Sequence, residues 1–367
     1  MCGIQGNDGK EREKSHKKIP VDEAVGLKLA HDITEIRPGE IKCRAYKRGH
    51  IVRQDDIEHF LRLGKEHVFV LNIEKDELHE DEAAYCLAIA LMGNGVTMEG
   101  EPKEGKINII AERDGLLKVN KDTLFLFNMT DGVMCATLHD NTPVKTGQIV
   151  AGTRVIPLIV KQKAVEEAIS VTTRFGRILE IKEMRRPKAG IVITGNEVYS
   201  KRIKDAFAPV ITGKIEEYNG EIVGLGYTPD DEGMITDKLG EFIEAGADLL
   251  ITTGGMSVDP DDVTRFAIRN LGATDITYGS AVLPGAMFLI AYINPPDFKS
   301  RSIPVLGVPA CAIYHKTTIF DLILPRILSG EKITRKELAE LGHGGLCLSV
   351  SGVQWVVRIM PLPWKAL

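Results

Sequence analysis

A run of threonines, glycines and aspartates between Thr252 and Thr264 is the part of the sequence best suited to binding or catalysis. It reads T-T-G-G-M-S-V-D-P-D-D-V-T and directly follows the apolar stretch 249–251. Glycines let a ligand approach the backbone closely, and carboxylates are ligands for cations such as Mg²⁺. One aspartate is enough to cap a helix. The acids at positions 259, 261 and 262 therefore leave two carboxylates for chemistry or for plain solvated charge.

Three further loops place small, rigid or polar residues beside a predicted strand. They contain Thr194-Gly195-Asn196-Glu197, Pro284-Gly285 and Pro309-Ala310. Each loop alone is explained by an ordinary turn between a strand and a helix. The carboxyl ends of parallel strands meet at one edge of a sheet, where ligands bind. Four such loops on one sheet therefore predict a single pocket.

The segment from residue 188 to residue 330 alternates strand and helix patterns, which predicts a three-layer α/β/α sandwich with a mostly parallel sheet. Residues 189–194 form a nearly continuous apolar run, as expected for a strand covered on both faces. The helix predicted at 230–246 has a regular apolar stripe. Other predicted strands cover 221–227, 248–253, 276–282, 287–292 and 303–308, and other predicted helices cover 262–271 and 312–328.

The remaining chain is more mixed, and the predicted organisation is α+β with a small β-rich module. The predicted segments are a flexible tail at 1–18, an α+β region at 19–94, the β-rich module at 95–160, a helical connection at 161–187, the α/β domain at 188–330 and a C-terminal tail at 331–367. Helices are expected within 19–30, 51–63, 77–92 and 161–169. The run 124–127 is interpreted as one of the short strands of the module.

Composition excludes several classes of protein. The chain has 367 residues, of which 44% are hydrophobic and 26% charged, which is typical of a soluble globular protein and not of a disordered one. No apolar run approaches the roughly 20 residues that span a membrane, and the polar start is unlike a secretory signal. The six cysteines are scattered, so a cytoplasmic location without disulfides or structural zinc is expected. No basic stretch is dense enough to predict a nucleic-acid partner.

The predicted α/β domain is acidic. Residues 188–330 contain 12 Lys and Arg against 18 Asp and Glu, a net charge of −6. A domain of this charge does not attract anions through its general field. If it binds a phosphate, it must use backbone N–H groups, a metal ion or a few placed cations.

These loops resemble the molybdopterin-binding domain shared by molybdopterin adenylyltransferases, molybdopterin molybdenumtransferases and competence-damage-type proteins. The strings T-G-N-E-V, T-T-G-G-x-S-V-x-x-x-D, P-G-x-x-F and G-x-P occur in the family's order and with similar spacing over about residues 188–328. The stretch 19–30, which reads I-P-V-D-E-A-V-G-L-K-L-A, is similar to the opening of the molybdenumtransferase branch. The resemblance implies the molybdopterin-binding fold for residues 188–330.

The resemblance also implies roles for individual residues. Asp262 and Asp259 are expected to act in catalysis, and Asp262 and Asp261 to bind Mg²⁺. The loop with Gly254, Gly255 and Ser257 is expected to hold the pterin phosphate. The full set expected to contact molybdopterin is Thr194, Gly195, Asn196, Glu197, Thr253, Gly254, Gly255, Met256, Ser257, Pro284, Gly285, Pro309 and Ala310.

Two departures from the molybdenumtransferase pattern are visible. That branch usually has an M-D-G-Y-A-like segment, and the nearest string here is M-T-D-G-V at 129–133. It usually shows P-G-N-P where residues 309–312 read P-A-C-A. The first departure bears on metal insertion, and the second bears on phosphate contacts.

Three hypotheses follow for function. The first is an enzyme of molybdenum cofactor biosynthesis, a transferase that binds molybdopterin or its adenylylated form with Mg²⁺ and assists metal insertion. The second is a non-catalytic module that carries the pterin and recognises a partner molybdoenzyme. The third is a nucleotide hydrolase of the competence-damage type. The sequence leaves open whether the protein is an enzyme, and the resemblance implies a homo-oligomer, either dimer or trimer.

Overall fold

The computed structural model describes residues 16–37, 41–71, 73–255, 263–294 and 302–346. The chain forms two compact units. The first unit contains the described residues of Met1–Arg113, Leu117–Asp140 and Val144–Ile181, and the second unit contains those of Asp114–Leu116, Asn141–Pro143 and Lys182–Leu367. Within the described ranges, no helix has the length and apolar character needed to cross a membrane.

Short strands dominate the described residues up to 182, and four helices interrupt them there. In chain order the elements are β1 (His16–Pro20), a 3-10 turn (Asp22–Ala24), β2 (Ile33–Arg37), β3 (Ile41–Tyr46), α1 (Asp56–Arg62), β4 (His67–Leu71), β5 (Glu77–His79), α2 (Glu80–Leu91), β6 (Val96–Met98), β7 (Lys106–Ala111), β8 (Gly115–Val119), α3 (Lys121–Asn128), β9 (Val133–Thr137), β10 (Thr142–Val144), β11 (Ile149–Val155), β12 (Ile159–Lys161), α4 (Gln162–Phe175) and β13 (Leu179–Lys182).

Beyond residue 182 strands and helices alternate. The elements are β14 (Lys188–Thr194), α5 (Asn196–Tyr199), α6 (Phe207–Glu216), β15 (Glu221–Thr228), α7 (Glu232–Glu244), β16 (Leu249–Thr253), α8 (Thr264–Asn270), β17 (Thr274–Tyr278), β18 (Leu289–Ile293), β19 (Ile303–Val308), α9 (Cys311–Tyr314), α10 (Ile319–Leu328) and α11 (Arg335–Glu340).

The start of the first unit is extended, and the helix predicted within residues 19–30 is wrong. β1 pairs antiparallel with β4, and only the 3-10 turn at Asp22–Ala24 is helical. The backbone N–H groups of Leu29 and Ala30 donate to His50 O and Phe69 O, both at 2.9 Å. Backbone groups that bond to distant segments cannot also form a helical ladder. β1 begins inside the segment predicted as a tail, of which residues 1–15 lie outside the described ranges.

The region predicted as a β-rich module contains an antiparallel sheet with the strand order β6-β7-β11-β9. The strand predicted at 124–127 is wrong, because these residues belong to the helix α3. The side chain of Asn120 accepts a hydrogen bond from Thr123 N at 3.1 Å and caps this helix. Phe127 is fully buried, whereas Phe125 is 64% exposed. A four-residue run that is apolar throughout has no periodicity to distinguish helix from strand.

The second unit contains a six-stranded sheet with the order β15-β14-β16-β19-β18-β17. The pairs β14–β15, β14–β16 and β16–β19 are parallel. β18 runs antiparallel to both of its neighbours, so five strands share one direction. Every residue of β16 and β19 is buried, as expected for central strands with both faces covered. The predicted α/β fold with a mostly parallel sheet is confirmed.

Helices cover both faces of this sheet and complete the three layers. On one face α6 and α10 bury side chains such as Ile211 and Phe320 against the sheet. On the other face α7 and α8 bury Leu239, Phe242 and Ile268. Phe242 occupies space left by glycines on two adjacent strands, since a Cβ at Gly190 would lie only 2.6 Å from the Cβ of Phe242.

The described part of the predicted C-terminal tail packs on the second unit. Ile333 and Leu338 are each 1% exposed and belong to the same core cluster as the helices α6 and α10. The Tyr292 hydroxyl accepts from Ile333 N at 2.6 Å and donates to Ile333 O at 3.2 Å. The helix predicted at 312–328 is two helices, α9 and α10, because Thr318 forms a capping box that starts a new helix.

Candidate functional site

Four parallel strands end at the same edge of the six-stranded sheet. Their last residues are Thr194, Thr228, Thr253 and Val308. β18 begins at this edge too, because Leu289 pairs with Gly307. The loops singled out from the sequence therefore all lie at this edge: they follow β14, β16 and β19 and precede β18. The loop after β15 lies at the same edge.

Three threonines connect the ends of β14 and β16 to the start of α8. The Thr194 hydroxyl donates to Thr253 O at 2.9 Å and lies 3.5 Å from the Thr264 hydroxyl. Thr264 donates in turn to Gly254 O at 3.2 Å. Thr194, Thr253 and Thr264 are almost fully buried. This network fixes the backbone where β16 turns into the glycine loop.

Gly254 and Gly255 lie directly over this threonine network. Their φ angles are +82° and +57°, in the left-handed region that favours glycine. A Cβ at Gly254 would lie 2.6 Å from Thr194 O, and a Cβ at Gly255 would overlap the Thr264 hydroxyl. The two glycines are thus required both by the turn and by the close approach of Thr194 to Gly254 and of Thr264 to Gly255.

Asn196 and Asp230 join the loops after β14 and β15 through a reciprocal pair of hydrogen bonds. Asn196 N donates to the Asp230 carboxylate at 3.1 Å, and Asp230 N donates to the Asn196 side-chain oxygen at 3.3 Å. The side chains of Asn196 and Glu197 are exposed. From the sequence, Asp230 is only the first residue of the helix predicted at 230–246. The structure instead shows Asp231 capping α7 and Asp230 facing the neighbouring loop.

Three buried threonine hydroxyls at this edge have no hydrogen-bond partner among the described residues. They belong to Thr228, at the end of β15, and to Thr252 and Thr253, at the end of β16. A buried hydroxyl left unpaired costs about 1–3 kcal/mol. Sequence reasoning missed Thr228, and Thr252 begins the run singled out from the sequence without being among the residues expected to contact the ligand. The available signal was a polar residue at the end of an otherwise apolar strand.

The two proline loops lie at the same edge but are held by different elements. Gly285 has a φ of +129°, and a Cβ there would lie 2.6 Å from Ile319 Cγ2 at the start of α10. The Leu283–Pro284 peptide bond is cis. Pro309 and Ala310 connect β19 to α9, and Ala310 is exposed.

A shallow cavity of about 300 Å³ lies between α6 and α9, next to the loop that contains Ala310. Lys214, His315 and Lys316 contribute to its lining. Lys214 is already engaged, since it pairs with Asp321 and donates to Lys316 O at 3.0 Å. Burial raises the pKa of the Cys311 thiol, which favours its interpretation as a small packed residue over a nucleophile.

The expected catalytic and metal-binding acids lie outside the described residues. These are Asp259, Asp261 and Asp262, and the expected phosphate-loop residues Met256 and Ser257 lie in the same segment, 256–262. In the part of the chain that the structure describes, no group of three or more His, Cys, Asp or Glu residues is arranged to hold a metal ion. The roles assigned to the acidic segment therefore stay predictions.

Comparison with known families gives two matches to this chain. Residues 190–329 match a family described as the probable molybdopterin binding domain. Residues 18–72 match a domain of unknown function, DUF8806. The first match begins within β14, extends through β19 and includes all the described loops at the carboxyl edge of the sheet.

Two curated relatives are similar to part of the chain. A molybdopterin molybdenumtransferase of Haemophilus influenzae is 28% identical over 168 residues, which are 43% of this chain and 39% of the relative. A CinA-like protein of Mycobacterium leprae is 29% identical over 118 residues, which are 31% of this chain and 27% of the relative. The alignments thus span well under half the length of either relative.

Among solved structures, the tungsten cofactor synthesizing protein MoaB from Pyrococcus furiosus is similar to part of the chain. It is 20% identical, with a TM-score of 0.29, and the overlay covers 35% of this chain and 87% of MoaB. An overlay at this score supports no functional conclusion.

Proposed function

We propose that this chain, whose residues 190–329 belong to the molybdopterin-binding domain family, binds molybdopterin at the carboxyl edge of its six-stranded sheet. The observation that carries the proposal is the set of buried, unpaired hydroxyls of Thr228, Thr252 and Thr253 beside the glycine turn. Their position supports a ligand rich in hydrogen-bonding atoms, because a ligand at this edge can offer partners that the described residues do not supply. A phosphorylated pterin has this character.

The glycine turn supplies the contact chemistry for a phosphate. The backbone at Gly254 and Gly255 carries no side chain that would keep an anion away, and left-handed turns present successive N–H groups to anions. Asn196 and Glu197, which are exposed at the neighbouring loop, are suited to contact the pterin ring. Amide and carboxylate groups match the donors and acceptors along the edge of a pterin.

A cation is part of the proposal because the domain is acidic. Residues 188–330 carry a net charge of −6, which opposes binding of an anionic ligand. We assign Mg²⁺ to Asp261 and Asp262 and a catalytic role to Asp259 and Asp262. Oxygen ligands are what Mg²⁺ prefers. When bound, the ion neutralises the phosphate and polarises a phosphoryl oxygen.

For the reaction, we propose a transferase step in molybdenum cofactor biosynthesis, with molybdopterin or its adenylylated form as substrate. The name of the Haemophilus influenzae relative, a molybdopterin molybdenumtransferase, supports this class of reaction. In such a step the protein contributes positioning and electrostatics and needs no nucleophile of its own. We also propose that the protein is cytoplasmic. We further propose that it forms a homo-oligomer, either dimer or trimer, and light scattering on the purified chain would test this oligomeric state.

The test is anaerobic calorimetric titration of the full chain with molybdopterin, with and without Mg²⁺. Binding that strengthens with Mg²⁺ is expected for the unmodified chain. Asp262→Asn should abolish the Mg²⁺ dependence and any turnover with molybdate, whereas Glu244→Gln is the matched control. Glu244 is an exposed acid at the C-terminal end of α7. The chain there leads to the start of β16, at the edge of the sheet opposite the candidate site. Absence of binding in both conditions, or an unchanged Asp262→Asn variant, would refute the assignment.

A second candidate is a carrier that binds the pterin without chemistry and recognises a partner molybdoenzyme. The observation that favours it is the loop after β19, where the sequence P-A-C-A places Ala310 and Cys311 at the start of α9. This loop lacks the glycine and the asparagine of the P-G-N-P string. Tight binding of molybdopterin without turnover under any combination of Mg²⁺, ATP and molybdate would support the carrier. A nucleotide hydrolase of the competence-damage type would instead release product from a pyridine nucleotide or ADP-ribose.

A further inference from the structure

A buried carboxyl group without a hydrogen-bond partner among the described residues lies at the N-terminus of α2, in the first unit. Glu80 is the first residue of this helix and is 7% exposed. Its carboxylate makes no hydrogen bond or ion pair within the described part of the chain. A carboxylate in this position is expensive while charged and much less so once protonated.

The turn Lys103–Lys106 covers this carboxyl group. Two backbone hydrogen bonds close the turn, from Lys103 N to Lys106 O at 2.8 Å and from Lys106 N to Lys103 O at 3.0 Å. Glu104 and Gly105 have φ angles of +51° and +68°, the signature of a tight hairpin turn. A Cβ at Gly105 would lie 2.7 Å from Glu80 Oε2. The turn is therefore packed directly on the carboxyl group.

A single side-chain hydrogen bond attaches the tip of the turn to the helix, from Gly105 N to the Asp81 carboxylate at 2.9 Å. Beyond it, Gly105 O accepts from Val155 N at 3.2 Å, and Arg154 donates to Glu104 O at 2.9 Å. Glu104 adopts a backbone conformation that non-glycine residues rarely occupy. The closed turn is thus held by few bonds and carries local strain.

The charges around Glu80 do not compensate for its burial. Burial, followed by the repulsion of Asp81, raises the pKa of Glu80 to about 7. The cations nearby are engaged elsewhere, since Arg48 pairs with Asp81 at 3.4 Å and Arg154 bonds to the backbone of the turn. The positive end of the helix dipole favours the anion, but burial outweighs it. The charged or titratable groups facing Glu80 are Arg48, His79, Asp81, Glu104 and Arg154.

We propose that the turn Lys103–Lys106 is a proton-sensitive clasp, closed over Glu80 when the carboxyl group is protonated and opened when it is ionised. Ionisation puts a charge under the turn, and opening exposes that charge to more water. The turn leads directly into β7, which begins at Lys106.

The clasp lies next to the contacts that hold residues 16–71 against α2. His79 Nε2 donates to Ala30 O at 2.8 Å, and Arg48 lies 3.4 Å from Asp81 and 3.7 Å from Glu82. Asp81 therefore bonds both to the turn and to Arg48. Opening of the clasp frees one oxygen of Asp81. Through the bond between Asp81 and Arg48, it alters the contacts of the segment that matches the domain of unknown function.

Hydrogen exchange of the full chain between pH 6 and 8.5 tests the proposal, with the Gly105 and Lys106 amides as the readout. After correction for intrinsic exchange, their protection should fall about ten-fold over this range, because the open state has an ordinary carboxyl pKa. Amides in the middle of α2 report on global unfolding and should not follow this change.

Glu80→Gln keeps the shape of the side chain and removes its charge, so protection at Gly105 should stay high and independent of pH. Glu167→Gln is the matched control, because its side chain is exposed on α4, and it should behave like the unmodified chain. A fall of the same size in Glu80→Gln would overturn the proposal. If that variant fails to fold, constant protection in the unmodified chain across the range would overturn it equally.

Discussion

Replacing Gly254 by alanine tests whether the glycine turn of the candidate site has the geometry described. The residue has a φ of +82°, and an alanine there costs about 1 kcal/mol in backbone conformation alone. Its Cβ would also lie 2.6 Å from Thr194 O and 2.7 Å from Thr194 Oγ1. Forcing β14 and β16 apart to relieve such contacts costs a further 1–3 kcal/mol or so. The expected loss of stability is therefore about 2–4 kcal/mol.

Gly272 provides a matched control in the same unit. Its φ is +81°, and a Cβ there would have nothing within 4 Å. Gly272→Ala should therefore lose only the conformational part, about 1 kcal/mol. Urea denaturation of both variants, monitored by circular dichroism at the transition of the second unit, gives the loss in free energy of unfolding for each. Equal losses would refute the close approach of Thr194 to the glycine turn.

Three more substitutions test other parts of the molecule. Thr252→Val removes a buried hydroxyl that lacks a partner in the described residues, so stability should be unchanged or rise by about 1 kcal/mol; a clear loss in thermal unfolding would show that the hydroxyl is paired. Asp231→Ala removes the cap of α7, whose carboxylate accepts from Met234 N at 2.8 Å, and should cost about 1 kcal/mol in urea denaturation. Asp32 has a pKa below its ordinary 3.8, because hydrogen bonds from Arg44 and the Arg48 backbone outweigh the opposite effect of burial. Its contribution to stability is present above pH 3.8 and is lost as the pH falls through the lower folded value. The difference in free energy of unfolding between Asp32→Asn and the unmodified chain should therefore become smaller at acidic pH. A difference that is constant with pH would contradict a contribution from the lowered pKa of Asp32.

The sequence predicted the sheet of the second unit well, because its central strands are buried on both faces. A run such as residues 189–194 has no polar interruption, and its β-branched residues distinguish it from a helix. The short segments of the first unit do not carry both of these signals. The apolar run 124–127 forms part of a helix because Asn120 caps it and α4 packs beside it, and neither fact is local to the run.

For the candidate site, the sequence indicated the loops but not the contacts between them. Thr194 and Gly254 were predicted site residues, yet their close approach depends on the pairing of β14 with β16. Asp230 was missed because a helix N-terminus gave a sufficient local reason for an acid there. Its bond to Asn196 joins positions 34 residues apart. Only the strand order β15-β14-β16 brings these loops side by side.

The fit of Phe242 against the sheet links positions far apart in the chain. The ring fills the room left by Gly190 on β14 and by Gly224 and Gly226 on β15. A methyl group at Gly190 or Gly224 would collide with it. A smaller residue at 242 would relieve this collision. Conversely, a larger residue on either strand would fill the cavity that a smaller residue at 242 leaves. The four positions should therefore behave as a suppressor group, in which single exchanges are selected against and paired exchanges are tolerated.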